Sequence, residues 1–287
     1  MVDIVHGATG AQGSPVLSAL TSAGRTAIAA VRRPEAVPSG IATRQVDLAS
    51  ADSLTSTYEG ADGVFIHLPM GAPEVAAAQA RAVVEAVTRA RPGRVVISTS
   101  GQIVDRPDSP LQATAGSPIM TLIDGVTGSG VPTAVVARRL YLENLLLPVV
   151  LAPARQEGVL RYPLPASFPV SWSSHLDVAD VVARLLMDTS VSGTVAVGHR
   201  PGLTGADLAA AFSNHLGREV HFEAITPEAF GGLITPLFGP AAAPVVELYR
   251  ALNAQDGCII AEDSSAQELL GLRPRPIEQW LKDLAVS

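Results

Sequence analysis

The most constraining feature of this chain is the run Gly7-Ala8-Thr9-Gly10-Ala11-Gln12-Gly13. It follows a β-branched stretch, Val2–His6, and opens a helix-forming stretch, Ser14–Ala23. Each glycine has a physical task. Gly7 lets the chain turn tightly, Gly10 admits a pyrophosphate to the backbone, and Gly13 lets the helix approach the strand. Free N–H groups at the helix start then face the anion, so the loop predicts a dinucleotide site with Gly7, Thr9, Gly10, Ala11, Gln12 and Gly13 as contacts. A site for NAD places an acid about 20 residues on, against the ribose 2′-hydroxyl. Here that place reads Val31-Arg32-Arg33-Pro34. Two guanidinium groups suit a 2′-phosphate, so the expected cofactor is NADP(H), the alternative being a solvated surface pair.

The rest of the chain keeps the rhythm of a parallel sheet with crossover helices. Strands are expected at Val2–His6, Thr26–Val31, Gly63–His67, Arg94–Ser98, Thr133–Ala137 and Gly193–Val197, with helices at Ser14–Ala23, Glu74–Ala90, Ile119–Gly128 and Leu176–Met187. Gln102–Ser117, rich in Pro, Asp and Ser, reads as an active-site loop. Pro148–Pro169 carries five prolines and reads as a long excursion outside the core. Helices dominate from Thr204 onward. The expected fold is therefore α/β: a doubly wound parallel Rossmann sheet over residues 1–153, completed by about 175–198, with a smaller, mainly helical substrate lobe over 154–287.

Composition narrows the partners. A net charge of −7 argues against nucleic acid, which needs a basic face. Cys258 is the only cysteine, which rules out an internal disulfide and multi-cysteine metal sites, and the histidines show no ligand spacing, so no metal is assigned. The start lacks a signal-peptide pattern and no uninterrupted run of 18 apolar residues occurs. Residence in a reducing cytoplasm, away from membranes, is the expectation.

GATGAQG, followed by VRRPE and VDLAS, resembles the NmrA-like branch of atypical short-chain dehydrogenases/reductases. Arg138–Asn144 and Asp177–Val181 are similar to further runs of that branch. The resemblance is good over about residues 1–200 and implies a substrate cleft between a Rossmann domain and a C-terminal lobe. It places Asp47 and Leu48 near the adenine, His67, Leu68 and Pro69 over the adenosine side, and Thr99 and Ser100 near the nicotinamide ribose or substrate. For Asp47 a helix-cap role stands beside this. For Ser98, Thr99 and Ser100 the alternative is hydroxyls that satisfy strand-end backbone.

The chain departs from the superfamily in one respect. Most of those reductases use a Tyr-x-x-x-Lys pair, whose tyrosine supplies a proton as hydride arrives. None of Tyr58, Tyr141, Tyr162 or Tyr249 has lysine four residues on, and Lys282 is the only lysine. The slot where relatives carry lysine falls on Asp124. The resemblance thus implies a reductase whose proton comes from Ser100, Tyr141, His175, water or the substrate itself. A flat, oxygenated aromatic ketone or quinone, such as an angucycline-type polyketide, needs least help. A non-catalytic NADP(H) sensor is the other possibility. Trp172 and Phe168, beside the Pro-rich segments, either edge a roomy cleft or simply pack between lobe and core, and His175 is either a proton donor or a helix-end or core histidine.

Overall fold

The computed structural model describes residues 1–286, which divide into two compact units. The first comprises Met1–Arg138, His175–Val197 and Asp263–Leu272. Along the chain it begins with β1 (Val2–His6), α1 (Gly13–Ser22), β2 (Thr26–Val31), β3 (Thr43–Gln45), α2 (Ala51–Tyr58), β4 (Gly63–His67) and α3 (Pro73–Ala90). It continues with β5 (Val95–Ser98), α4 (Pro118–Gly128) and β6 (Thr133–Arg138). After α5 (Pro148–Gln156) and β7 (Val159–Tyr162) of the second unit, the chain returns for α6 (His175–Met187) and β8 (Gly193–Val197). Then come α7 (Gly205–Leu216), β9 (His221–Ala224), α8 (Pro227–Phe238) and α9 (Ala242–Asn253) of the second unit. Next are α10 (Ala266–Leu270) in the first unit and α11 (Ile277–Asp283) in the second.

Among the described residues, seven parallel strands form the first unit's sheet in the order β3-β2-β1-β4-β5-β6-β8. This is a doubly wound Rossmann sheet. Its order reverses between β1 and β4, which opens a crevice at the carboxyl ends of those strands. The strands are near-continuous apolar runs because both faces are covered. On one face Ile4, Val64, Ile66, Val95 and Ile97 share a core with Leu54, Tyr58, Val83, Val87 and Leu122. On the other, α1 and α6 pack together. At the amino edge Asp3, fully buried, takes two 2.7 Å hydrogen bonds from Arg25 Nε and Nη2.

Several sequence expectations are corrected. The strand at Thr43–Gln45 and the helix at Ala51–Tyr58 carry too short or too polar a pattern to be read. Pro148–Pro169 is no loose excursion. Pro148 starts α5, which tolerates Pro153, and Val150, Ala154, Leu160 and Tyr162 are buried. The first unit leaves the chain at Arg138 rather than 153, and Asp263–Leu272 returns to it. Gly125 lies where α4 meets α3: a Cβ there would sit 2.6 Å from Val84.

The second unit pairs β7 with β9 in parallel and surrounds them with α5, α7, α8, α9 and α11. Trp172 and Phe168 lie in its interior rather than at a cleft edge; Trp172 packs edge-on against Tyr162. The Tyr162 and Tyr249 hydroxyls bond each other. Pro227–Asn253 is long and apolar enough to span a membrane by composition, with mean hydropathy 1.5. The structure breaks it at Gly239–Ala241 into α8 and α9.

Removing Arg25 leaves a buried, unpaired carboxylate in β1. Arg25→Met is expected to lower stability by about 3 kcal/mol, read from urea unfolding at neutral pH.

Candidate functional site

The site begins at the β1–α1 junction. Gly10 N donates to Gly7 O at 2.8 Å and Ser14 N to Gly10 O at 3.0 Å, which winds the loop into the helix. A Cβ on Gly13 would lie 2.3 Å from Gly7 O and 2.5 Å from His6 O, so only glycine permits this approach. Gly7 has φ +60°, and the place of its missing side chain is taken by the His67 ring, whose Nε2 would lie 2.3 Å from a Cβ. No side chain caps α1; Ser14 N is taken by Gly10 O and Pro15 has no N–H, so the amides open to an anion are those of Gln12 and Gly13.

A crevice of about 230 Å³ lies at the carboxyl edge of β1, β2 and β4. Gly7, Thr9 and Gly10 form its floor with His6, and His67 and Pro69 line it from the β4 side. Ala30, Val31, Ala36, Val46 and Leu48 provide an apolar wall, and Arg32 and Arg33 stand at the rim. Both arginines are exposed, and neither makes an ion pair among the described residues.

Of the residues singled out from sequence, Ala11, Gln12 and Gly13 belong to the helix start. Leu68 faces the core cluster. The exposed Asp47 does not line the crevice: its Oδ1 accepts from Ala49 N at 2.9 Å and shapes the turn into α2. Thr99 is fully buried and its Oγ1 has no hydrogen-bond partner. Ser100 and His175 belong to the first unit and Tyr141 to the second. Asp124 is exposed on α4, and Tyr58 is buried with its hydroxyl 2.8 Å from His6 Nε2.

Sequence reasoning missed Arg138. It is the last residue of β6 and mostly buried; its Nη2 donates to Ser100 O at 2.7 Å. A Cβ on Gly101 would meet the same guanidinium at 2.5 Å. Nothing in the one-dimensional pattern brings β6 to the β5 turn. The signal that could have found it is an arginine ending an otherwise apolar strand.

The histidines here are neutral. Burial, with the neighbouring His67 second, lowers His6 to about 3. Burial also lowers His67, opposed by a hydrogen bond with the Leu68 backbone. Burial first, then the charges of Arg138 and His67, lower His175 to about 4. At pH 7 His175 therefore carries no imidazolium proton to give, which weakens it as a general acid.

The residues fit a dinucleotide. His6 Nδ1, His67 Nε2 and Thr99 Oγ1 are buried polar atoms without hydrogen-bond partners at the carboxyl ends of β1, β4 and β5. His6 and His67 line the crevice beside the uncapped helix start, where a polar ligand would satisfy them; the fully buried Thr99 does not line it. Among the described residues no group of three or more His, Cys, Asp or Glu could hold a metal ion.

Fold and crevice together define a dinucleotide-binding Rossmann protein. The chain belongs to the NmrA-like family, which it matches over residues 4–281. It is 30% identical over 286 residues to a (4-alkanoyl-5-oxo-2,5-dihydrofuran-3-yl)methyl phosphate reductase of Streptomyces griseus subsp. griseus, covering 96% of this chain and 95% of that protein. It is 31% identical to an NAD(P)H azoreductase of Xenophilus azovorans, over 78% of this chain and 77% of the relative. Among solved structures it resembles the Citrobacter sp. triphenylmethane reductase complexed with NADP(H), with TM-score 0.80, 18% identity and 99% of each chain covered. It also resembles an NADPH-dependent quinone oxidoreductase of Escherichia coli, with TM-score 0.75 and 19% identity, over 99% of this chain and all of that one.

His6 protonates in the folded state only far below its ordinary value. Between pH 6.5 and about 3 the unfolded chain therefore binds the extra proton. Stability present above pH 6.5 is lost as the pH falls, at up to about 1.4 kcal/mol per pH unit from this residue. Urea unfolding at pH 7 and pH 5 is expected to show that slope, flattened in His6→Gln.

Proposed function

We propose that this chain is an NADPH-dependent reductase that passes hydride to a carbonyl or quinone of an aromatic, polyketide-like small molecule without a Tyr/Lys pair. The cofactor is NADP(H). When bound, it supplies the hydride. The observation that carries the reading is the set of unpartnered buried polar atoms around the open α1 start, beside two unpaired arginines.

The chain's residues divide the work as follows. The Gln12 and Gly13 amides at the start of α1 hold the pyrophosphate, and Arg32 and Arg33 hold the 2′-phosphate through charge-assisted hydrogen bonds. Ala30, Val31 and Val46 bury the adenosine side away from water. His67 offers a neutral ring, which donates or accepts one hydrogen bond without repelling or neutralising the phosphates. At the other end Ser100 sits at φ +53°, a conformation rare outside glycine, fixed by contacts to Gln12, Ser98 and Arg138. Such imposed strain collects where a group must be aimed. Ser100 gives a hydroxyl proton to the substrate oxygen as carbon receives hydride, and solvent restores it.

The relatives' names fit this chemistry. An azo compound, a quinone, a triphenylmethane dye and a dihydrofuranone are all conjugated acceptors that spread incoming negative charge. A site without a tyrosine acid is adequate for such acceptors, because less charge has to be met at one atom.

NADPH oxidation with a panel of naphthoquinones and hydroxylated aromatic ketones tests the reading. Enzyme-dependent loss of nicotinamide absorbance is expected; tight NADPH binding without turnover of any acceptor would favour a redox sensor instead. Replacing both Arg32 and Arg33 by alanine is expected to weaken NADPH binding about 100-fold and NADH binding little, measured by fluorescence titration. Among Ser100→Ala, Tyr141→Phe and His175→Gln, the first is expected to lower kcat most. The His175 variant is expected to keep the wild-type pH profile between 5 and 8.

A further inference from the structure

Three side chains close a ring between the phosphate loop and the end of β5. Ser98 Oγ donates to Gln12 Oε1 at 2.8 Å. Gln12 Nε2 donates to Ser100 Oγ at 3.0 Å. Ser100 N donates back to Ser98 Oγ at 3.3 Å. The ring has a direction. Because the fully buried Ser98 gives its hydrogen to the carboxamide oxygen, the carboxamide must present its NH₂ to Ser100. Ser100 Oγ is thereby an acceptor on this side, and its own hydrogen has no place in the ring.

The rest of Ser100 is committed too. Its amide goes to Ser98 and its carbonyl to Arg138. The guanidinium fills the space a side chain on Gly101 would need, so the turn cannot swing that way. Gln12 itself stands at the N-cap position of α1, yet its side chain makes no capping bond. Its carboxamide is spent on the two serines instead.

We propose that Ser98 and Gln12 are positioning residues that act through Ser100: they occupy one lone pair of its hydroxyl and so reserve the hydroxyl hydrogen for the substrate oxygen. This deepens the reading of Ser100 as proton donor and rests on it. A hydroxyl that accepts from an amide is also a somewhat stronger donor, since hydrogen bonds in series polarise one another. The same ring ties donor alignment to the loop that holds the pyrophosphate, because Gln12 belongs to both. If the carboxamide lost its anchor at Ser98 and turned over, its oxygen would accept the Ser100 hydrogen. The donor would then be consumed within the protein.

The test is a double-mutant cycle on the full chain, using NADPH and whichever naphthoquinone or ketone it reduces. Ser98→Ala is expected to lower kcat about tenfold with the NADPH dissociation constant unchanged, and Ser98→Thr, which keeps the hydroxyl, to restore most of the rate. In a Ser100→Ala background, Ser98→Ala is expected to cost nothing further, because its effect passes through the missing hydroxyl. Multiplicative losses in the double variant would overturn the proposal, and so would an equal defect in Ser98→Thr. If Ser100→Ala kept the wild-type kcat, the donor assignment and this proposal would fall together, while wild-type turnover would leave the reductase reading intact. A readout independent of turnover is the side-chain amide resonance of Gln12 in ¹⁵N-labelled apoprotein, assigned by its loss in Gln12→Ala. It is expected to move and exchange faster in Ser98→Ala; an unchanged resonance would sink the ring.

Discussion

The contact on which the rest of this structure depends is the meeting of a strand end with a helix start at backbone distance. The helix can begin there because Gly13 has no side chain to strike the Gly7 and His6 carbonyls. That closeness aims the unpaired amides of Gln12 and Gly13, at the start of α1, across the carboxyl edge of the sheet. It also fixes Gln12 where it reaches β5, and leaves the space beside Gly7 to be filled by His67 from β4. One steric permission thus sets the floor of the crevice, the direction of its partial charge, and the first link toward the reacting end.

The electrostatics follow a single pattern. Three imidazoles at this edge, His6, His67 and His175, are all kept neutral chiefly by burial. Positive character therefore comes from the helix start and from the guanidinium groups of the rim arginines and Arg138. A polyanionic ligand is met by fixed charge and oriented dipoles. Arg138 has two effects at once, holding the Ser100 carbonyl and depressing its neighbour His175.

The sheet and the phosphate loop were legible in the sequence because both are local statements. β1, β2, β4 and β8 have the bounds expected from their apolar runs, since strands buried on both faces carry the strongest pattern. What escaped was non-local or weakly patterned. β3 is three residues long, and α2 has four Ser or Thr residues in eight. The prolines of Pro148–Pro169 suggested looseness, but two of them sit within α5. In the site, glycine spacing pointed to the anion cradle, and Ser98, Thr99 and Ser100 stood out as a hydroxyl cluster. Their distinct bonds did not: Ser98 donates to the Gln12 carboxamide, Ser100 accepts from it, and the buried Thr99 hydroxyl meets neither. Asp47, plausible by position, serves the turn before α2.

The parallel order of the first sheet also shapes how the chain comes into being. Its edge strand, β8, ends at Val197, and Ala196 bridges to Ser265 just before α10. The nucleotide-binding unit is therefore a discontinuous body whose last piece is made after most of the second unit. On the ribosome, β1 to β6 emerge long before the strand that covers the β6 edge. An apolar border stays open through that interval, and it is β6 that carries Arg138. The nascent chain has its phosphate loop early, but its edge protection comes only once β8 and the segment around Ser265 have followed.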